Sequence, residues 1–496
     1  MALRSLGRAS TTVLLSGTVV IAHGRLAAAQ APVSLGTIEG KWAGIAGPPN
    51  DRVRIALEFK RDSTNDLRAY YTAFAYDALE LPGPVTLSNG EFAVASWFAK
   101  FKLQGDSLVG SFFVGPFSLG RVRRIDPPPA LPKVSSGPGP RWRTALGSSI
   151  HAAVAYDDSL VFVGTTGGVF YALKQRDGAF AWNFAAGRPI FGKAAVAKDA
   201  VYFGCDNGYL YKLDRATGKE RWRYDLGDSR IARVLSHPIG EKAGEFDFDD
   251  YGASPLVVGD TVYMGSGDGS VHAINATTGE RVWRFEGSGS VRSGLAADSL
   301  RVIFATSTGI VYAVDRRSGE QLWKRESRGP VYGAPAIIGD KVVLGNRNGL
   351  IAGLRLETGA VDWRVILWGS SAESEAEPTG GSRFFFGSSD LRAVSFIDAA
   401  NGHVIWRSDV FGWPWARPAV SESRVFVSTA GGQLGEIRHF GAFSALDRTT
   451  GKVLWRWPMP EWPGILINGF RASPIVAGNA VFVGGLDGTL YAFPVR

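Results

Sequence analysis

Carboxylates, histidines, one thiol and a set of arginines are the side chains of this 496-residue chain with chemistry to offer. Glu245, Asp247, Asp249 and Asp250 gather in GEFDFDDYG (244–252), presenting the hard oxygen donors that calcium takes. They follow no recognised calcium-loop pattern, so the stretch reads as either an acidic-aromatic contact loop or a metal site. His151, His237, His272, His403 and His439 show no zinc-ligand spacing. Cys205, in VYFGCDNG, is the single cysteine; it cannot form an internal disulfide and reads as a buried, inert thiol. No nucleophile elbow or phosphate-binding loop occurs, and the DG and NG pairs are hairpin turns. No catalytic residue is assigned.

These residues need elements to hold them, and the composition points to strands. Glycine occurs 63 times against 3 methionines, with 15 tryptophans and 29 phenylalanines, which favours short strands joined by tight turns. Tryptophans recur at Trp142, Trp182, Trp222, Trp283, Trp323, Trp363, Trp406 and Trp455, at spacings of 40, 40, 61, 40, 40, 43 and 49. A glycine stands four residues before each of the last seven, as in LDRATGKERW (213–222). Upstream of these lie an alternating strand, a glycine-rich turn and another apolar strand, as in VYFGCDNGYLYKLD (201–214). One period is thus four antiparallel strands, a propeller blade. The final period stops before its tryptophan strand, and RWRTALG (141–147) precedes any complete blade, so the early strand closes the last one. Eight blades over 141–496 are expected. Seven blades, with an irregular period around 368–390, is the alternative.

The pattern VYxGxxDGxLYALDxxTGxxxW resembles the repeat of quinoprotein-type propellers. That family includes pyrroloquinoline-quinone (PQQ) dehydrogenases and non-enzymatic members such as the propeller lipoprotein of the outer-membrane barrel-assembly machinery. For a dehydrogenase the resemblance implies PQQ with calcium or a lanthanide in the central funnel, an acidic base and often a disulfide of adjacent cysteines. This chain has no cysteine pair, and acids read as sparse at the inner-strand starts. No cofactor is therefore expected, PQQ with calcium being the alternative.

The remaining segments frame the propeller. Arg4 and Arg8, the mostly apolar stretch 11–22 and Ala27 to Ala29 read as a signal peptide over 1–29. With no cysteine near the cleavage point, an exported, unlipidated protein of the periplasm or exterior is expected. No other segment is long enough to span a bilayer as a helix. The formal charge of +8 falls to +5 without the leader, and no basic run suits nucleic acid. Short alternating strands over 35–126 predict a small antiparallel barrel or roll, with Gly40-Lys41-Trp42 lipocalin-like in form. A proline-rich linker follows over 127–140.

With eight tryptophans assigned to blades and two to the first domain, Trp368, Trp413, Trp415, Trp457 and Trp462 remain. They fall in or beside connections between blades, on segments stiffened by proline. Trp413, Trp415 and Trp462, together with Arg292, Arg417, Arg471, Tyr332 and His151, are expected to form a protein-binding rim on one propeller face. The expected function is a non-enzymatic scaffold with an envelope or extracellular protein partner; the alternative is a PQQ-dependent dehydrogenase.

Overall fold

The computed structural model describes residues 33–46, 53–73, 78–94, 99–112, 115–125, 134–227, 251–367, 371–389, 391–434, 437–459 and 467–496. The expected signal peptide, the acidic candidates Asp247, Asp249 and Asp250, and Trp462 lie outside the described residues.

The first domain is a closed barrel of eight antiparallel strands in sequence order, from Gly40–Ala46 to Gly115–Val122. First and last strands pair, with Lys41 opposite Val122 and Ala46 opposite Phe117. Phe59, Phe92, Phe101 and Phe117 fill the interior, with the Phe92 and Phe101 rings stacked at 5.5 Å. The Gly40-Lys41-Trp42 triplet has a definite job here. Trp42 is buried and donates its indole N–H to the Ile38 carbonyl, 2.8 Å away in the 3-10 turn Leu35–Ile38. Arg121, from the last strand, lies over the Trp42 ring at 4.5 Å and donates to the Thr37 and Glu39 carbonyls. A cation–π contact and two hydrogen bonds thus tie the barrel's seam to its entry turn.

The repeats form eight antiparallel blades, and no helix among the described residues is long and apolar enough to cross a membrane. Blades 1 to 7 begin at residues 155, 195, 256, 296, 336, 377 and 419. Blade 8 combines residues 475–494 with Trp142–Ala145, so the early strand does close the ring and the seven-blade alternative falls. Blade 7 carries two additional short strands, Ile437–His439 and Asn468–Gly469. Middle strands are covered on both faces by neighbouring blades, so Ala200–Gly204 is buried throughout. Outer strands meet solvent, and Glu220–Asp225 alternates instead.

The tryptophan and glycine of the repeat meet across blades. The indole N–H of Trp182 donates to the Arg215 carbonyl of the next blade at 3.0 Å. Equivalent bonds of 2.7–3.3 Å run from Trp142, Trp222, Trp283, Trp323, Trp363 and Trp406. Gly218, at φ +71°, sits against the Trp182 ring, where any side chain would collide with the indole. Blade 8 pairs Thr489–Pro494 with Trp142–Ala145, strands far apart in sequence, so no hairpin turn joins its third and fourth strands. Gly137 of the linker, at φ +70°, takes the vacant place against Trp455, while Arg456 N–H donates to the Ser135 carbonyl at 2.9 Å. The substitute is incomplete: the buried Trp455 indole N–H has no acceptor among the described residues.

Candidate functional site

Each blade hands the chain from its outer strand to the inner strand of the next. All eight connections therefore reach the same end of the central channel. In seven of the eight connections, the residue four places ahead of the inner strand follows a buried residue. Ile150, Ile190 and Val291 pack where Gly484, Gly164 and Gly265 have no side chain. The residues that follow them, His151, Phe191 and Arg292, line the channel mouth. Tyr332, Glu373, Trp415 and Arg471 hold the matching place in four others, four residues ahead of the inner strand, while in the connection to blade 3 Gly252 takes that place and Tyr251 stands one residue earlier. The cavity inside this ring measures about 590 Å³.

The structure thus brings six expected rim residues, His151, Arg292, Tyr332, Trp415, Arg417 and Arg471, around one cavity. Trp413 requires a correction. Expected on an exposed loop, it is 5% exposed and stacks between Trp415 at 5.2 Å and His439 at 4.1 Å. It supports the rim from behind, because the loop turns inward to pair Trp413 with Ala430. The acids at the inner-strand starts are gathered in blade 6, which places Glu373, Glu375 and Glu377 there in sequence.

The aromatic and cationic groups form a continuous stack across the mouth. Trp415 leads to the Arg471 guanidinium at 4.7 Å, which lies over Tyr251 at 5.0 Å. Tyr251 stacks on Tyr332 at 4.9 Å, and Arg347 lies over Tyr332 at 5.8 Å. Glu373 completes the arc, accepting from the Tyr251 hydroxyl at 3.1 Å and pairing with Arg347 at 3.2 Å. Side chains from five connections and one blade turn, distant in sequence, hold one another in place. His439 backs the stack as a neutral ring at pH 7, since burial and the nearby Arg392 lower it to about 4.

Two residues further along each connection the cavity wall is uneven. Ala153, Gly294 and Ala334 are small, whereas Lys193, Glu375 and Arg417 supply charge. Arg417 pairs with Glu377 at 3.3 Å and approaches Glu375 at 4.0 Å. Burial pushes Glu377 above the usual carboxylate range even with Arg417 and Lys193 beside it. Burial, reinforced by Arg417, lowers Lys193 to about 8. Neither Phe191, Lys193, Tyr251 nor the three glutamates were found by motif. The signal was present only as position, four residues before a short inner strand in VYGAPA, FRASPI and PWARPA.

Among the described residues, no three His, Cys, Asp or Glu side chains gather as a metal-binding group. Cys205 is buried, and that burial raises its thiol to about 11, as suits an inert side chain.

Residues 135–269, 206–379 and 392–496 match the family model described as outer membrane protein assembly factor BamB, well over half of the chain. The chain belongs to this family of PQQ-like propellers. Within it, the outer membrane protein assembly factor BamB of Yersinia pestis is 30% identical over 112 residues, 23% of this chain and 25% of that protein. The namesake from Burkholderia pseudomallei (strain K96243) is 35% identical over 68 residues, 14% and 16% of the two chains. The chain thus spans a quarter or less of the curated relatives it matches. The quinohemoprotein alcohol dehydrogenase of Comamonas testosteroni superposes with a TM-score of 0.54 at 15% identity. That match covers 72% of this chain and 76% of the enzyme, and it is a likeness of fold alone.

Proposed function

We propose that this chain is an exported, non-enzymatic propeller of the cell envelope that holds a protein partner at its channel mouth. The observation that carries the reading is the ring itself. Eight connections converge on one mouth, and the aromatic and arginine residues they bring there are braced by stacking rather than arranged around a reacting atom. Rigid aromatics and arginine are the residue types that concentrate binding energy at protein interfaces. The relatives' printed role, outer membrane protein assembly, makes a component of that assembly apparatus the proposed partner.

The residues do not suit the cofactor of the dehydrogenase branch. The chain cannot form a disulfide of adjacent cysteines, and Glu373, Glu375 and Glu377 face arginines rather than converging as cation donors. The proposed barrel domain, over 35–126, stands outside this reading as a separate packed unit. The test is affinity capture from the native envelope, comparing wild type with Trp415→Ala/Arg471→Ala. The reading expects outer-membrane assembly proteins with the wild type and their loss with the variant at an unchanged melting temperature. Dye-linked alcohol oxidation after reconstitution with PQQ and calcium would contradict it.

A further inference from the structure

We infer that the mouth is a receptor for an acidic side chain carried on an extended segment of the partner. This inference rests on the protein-binding reading above and names the chemistry of what is bound. Four observations lead to it. The charged side chains lining the cavity are Lys193, Arg292, Arg417 and Arg471 against Glu373 and Glu375, so cations prevail among the described residues. Arg471 lies between the Trp415 and Tyr251 rings, which hold the guanidinium in place before any ligand arrives. A guanidinium restrained in this way loses little freedom on binding a carboxylate. Gly294 and Ala334 are small, so a side chain entering past the ring has room to reach Lys193 and Arg417. Finally, about 590 Å³ suits a few side chains of an extended segment and is too small for a folded domain.

Lys193 itself supports this assignment. A lysine held below its ordinary range by burial is a destabilising element of the empty site, and an incoming carboxylate is what would relieve it. The groups around it are Arg417, Glu375 and Glu377, of which Arg417 works against its charge and the two glutamates with it.

Calorimetry on the full chain tests the inference with an acetylated, amidated peptide alternating glutamate and serine, its glutamine counterpart, and free glutarate. The glutamate peptide should bind, the glutamine peptide about tenfold or more weakly, and glutarate more weakly than the glutamate peptide. Affinity for the glutamate peptide should fall with added salt. Arg471→Gln should reduce its affinity about tenfold or more, and Arg471→Lys should restore only part of it, because lysine keeps the charge without the planar fork. If Arg471→Gln fails to fold, Lys193→Met reads the same wall and should also weaken binding. Equal binding of the glutamate and glutamine peptides, or none of the glutamate peptide, would overturn the inference. Equal affinity for glutarate would overturn the peptide assignment. Failure of the wild type to capture assembly proteins is a separate outcome, which would remove the protein-binding reading whatever the calorimetry gives.

Discussion

The blade junctions and the channel mouth are both sampled eight times by the same repeat, and they differ in what varies. At the junctions one residue type recurs: a tryptophan lies against a glycine of the following blade in seven copies, and against the linker's Gly137 in the eighth. At the mouth the eight equivalent positions hold His151, Phe191, Gly252, Arg292, Tyr332, Glu373, Trp415 and Arg471, with Tyr251 just ahead of Gly252, so that small, aromatic and charged types are mixed. Ring closure demands the same contact from every blade, so the junction is uniform. A ligand meets the ring from one side only, so the mouth is free to differ from blade to blade. Uniform positions carry the fold and divergent ones carry recognition.

That division can be broken most forcefully at a junction. Trp363 is buried, donates to the Ala399 carbonyl at 2.7 Å and packs against Gly402. Trp363→Ala should cost about 3–5 kcal/mol, measured by denaturant unfolding, while the folded variant still captures its partner. Lost capture at unchanged stability would reverse the assignment. The ring closure offers a finer comparison. Trp323 donates to the Leu356 carbonyl at 3.0 Å, whereas the Trp455 indole N–H lacks an acceptor among the described residues. Trp323→Phe should therefore destabilise by about 1 kcal/mol more than Trp455→Phe. Equal losses would mean that the linker replaces the missing turn completely.

The last contrast belongs to the mouth and is read from its pH dependence. Lys193 is held at about 8 in the folded chain against an ordinary 10.5. Below pH 8 the lysine is charged in both states, and folding bears the full penalty of burying that charge. As pH rises from about 8 towards 10.5 the folded state releases its proton first, and the penalty fades. Lys193→Met should melt above wild type at pH 7, and the gap should close by about pH 10.5. A gap that grows with pH would contradict the burial of this lysine.

These contrasts also explain what the sequence made legible. The tryptophan-to-glycine register could be read because it is one contact written repeatedly, and it implied both the eight blades and the closing role of 141–147. The mouth was harder because its positions share no residue type. His151, Arg292, Tyr332, Trp415, Arg417 and Arg471 stood out as large or charged residues near inner-strand starts. Tyr251 hid behind the acidic insertion, and Lys193 belongs to no motif. Glu373 to Glu377 fell in the period that looked irregular. Trp413 was misjudged because a tryptophan just ahead of a proline reads alike whether it faces solvent or stacks on a neutral histidine. Gly137 escaped notice because its partner, Trp455, lies at the far end of the chain and meets it only when the ring closes.

The central claim is that the partner sits on the divergent ring and not on the uniform blades. It is tested most directly by site-specific photocrosslinking in the native envelope, with a benzophenone amino acid at position 415 or, as the control, at position 282. Val282 is 55% exposed on the outer strand of blade 3, away from the mouth. The account predicts a discrete adduct with an assembly protein from position 415 and none from 282. Adducts from 282 alone would place the partner on the blades and contradict it.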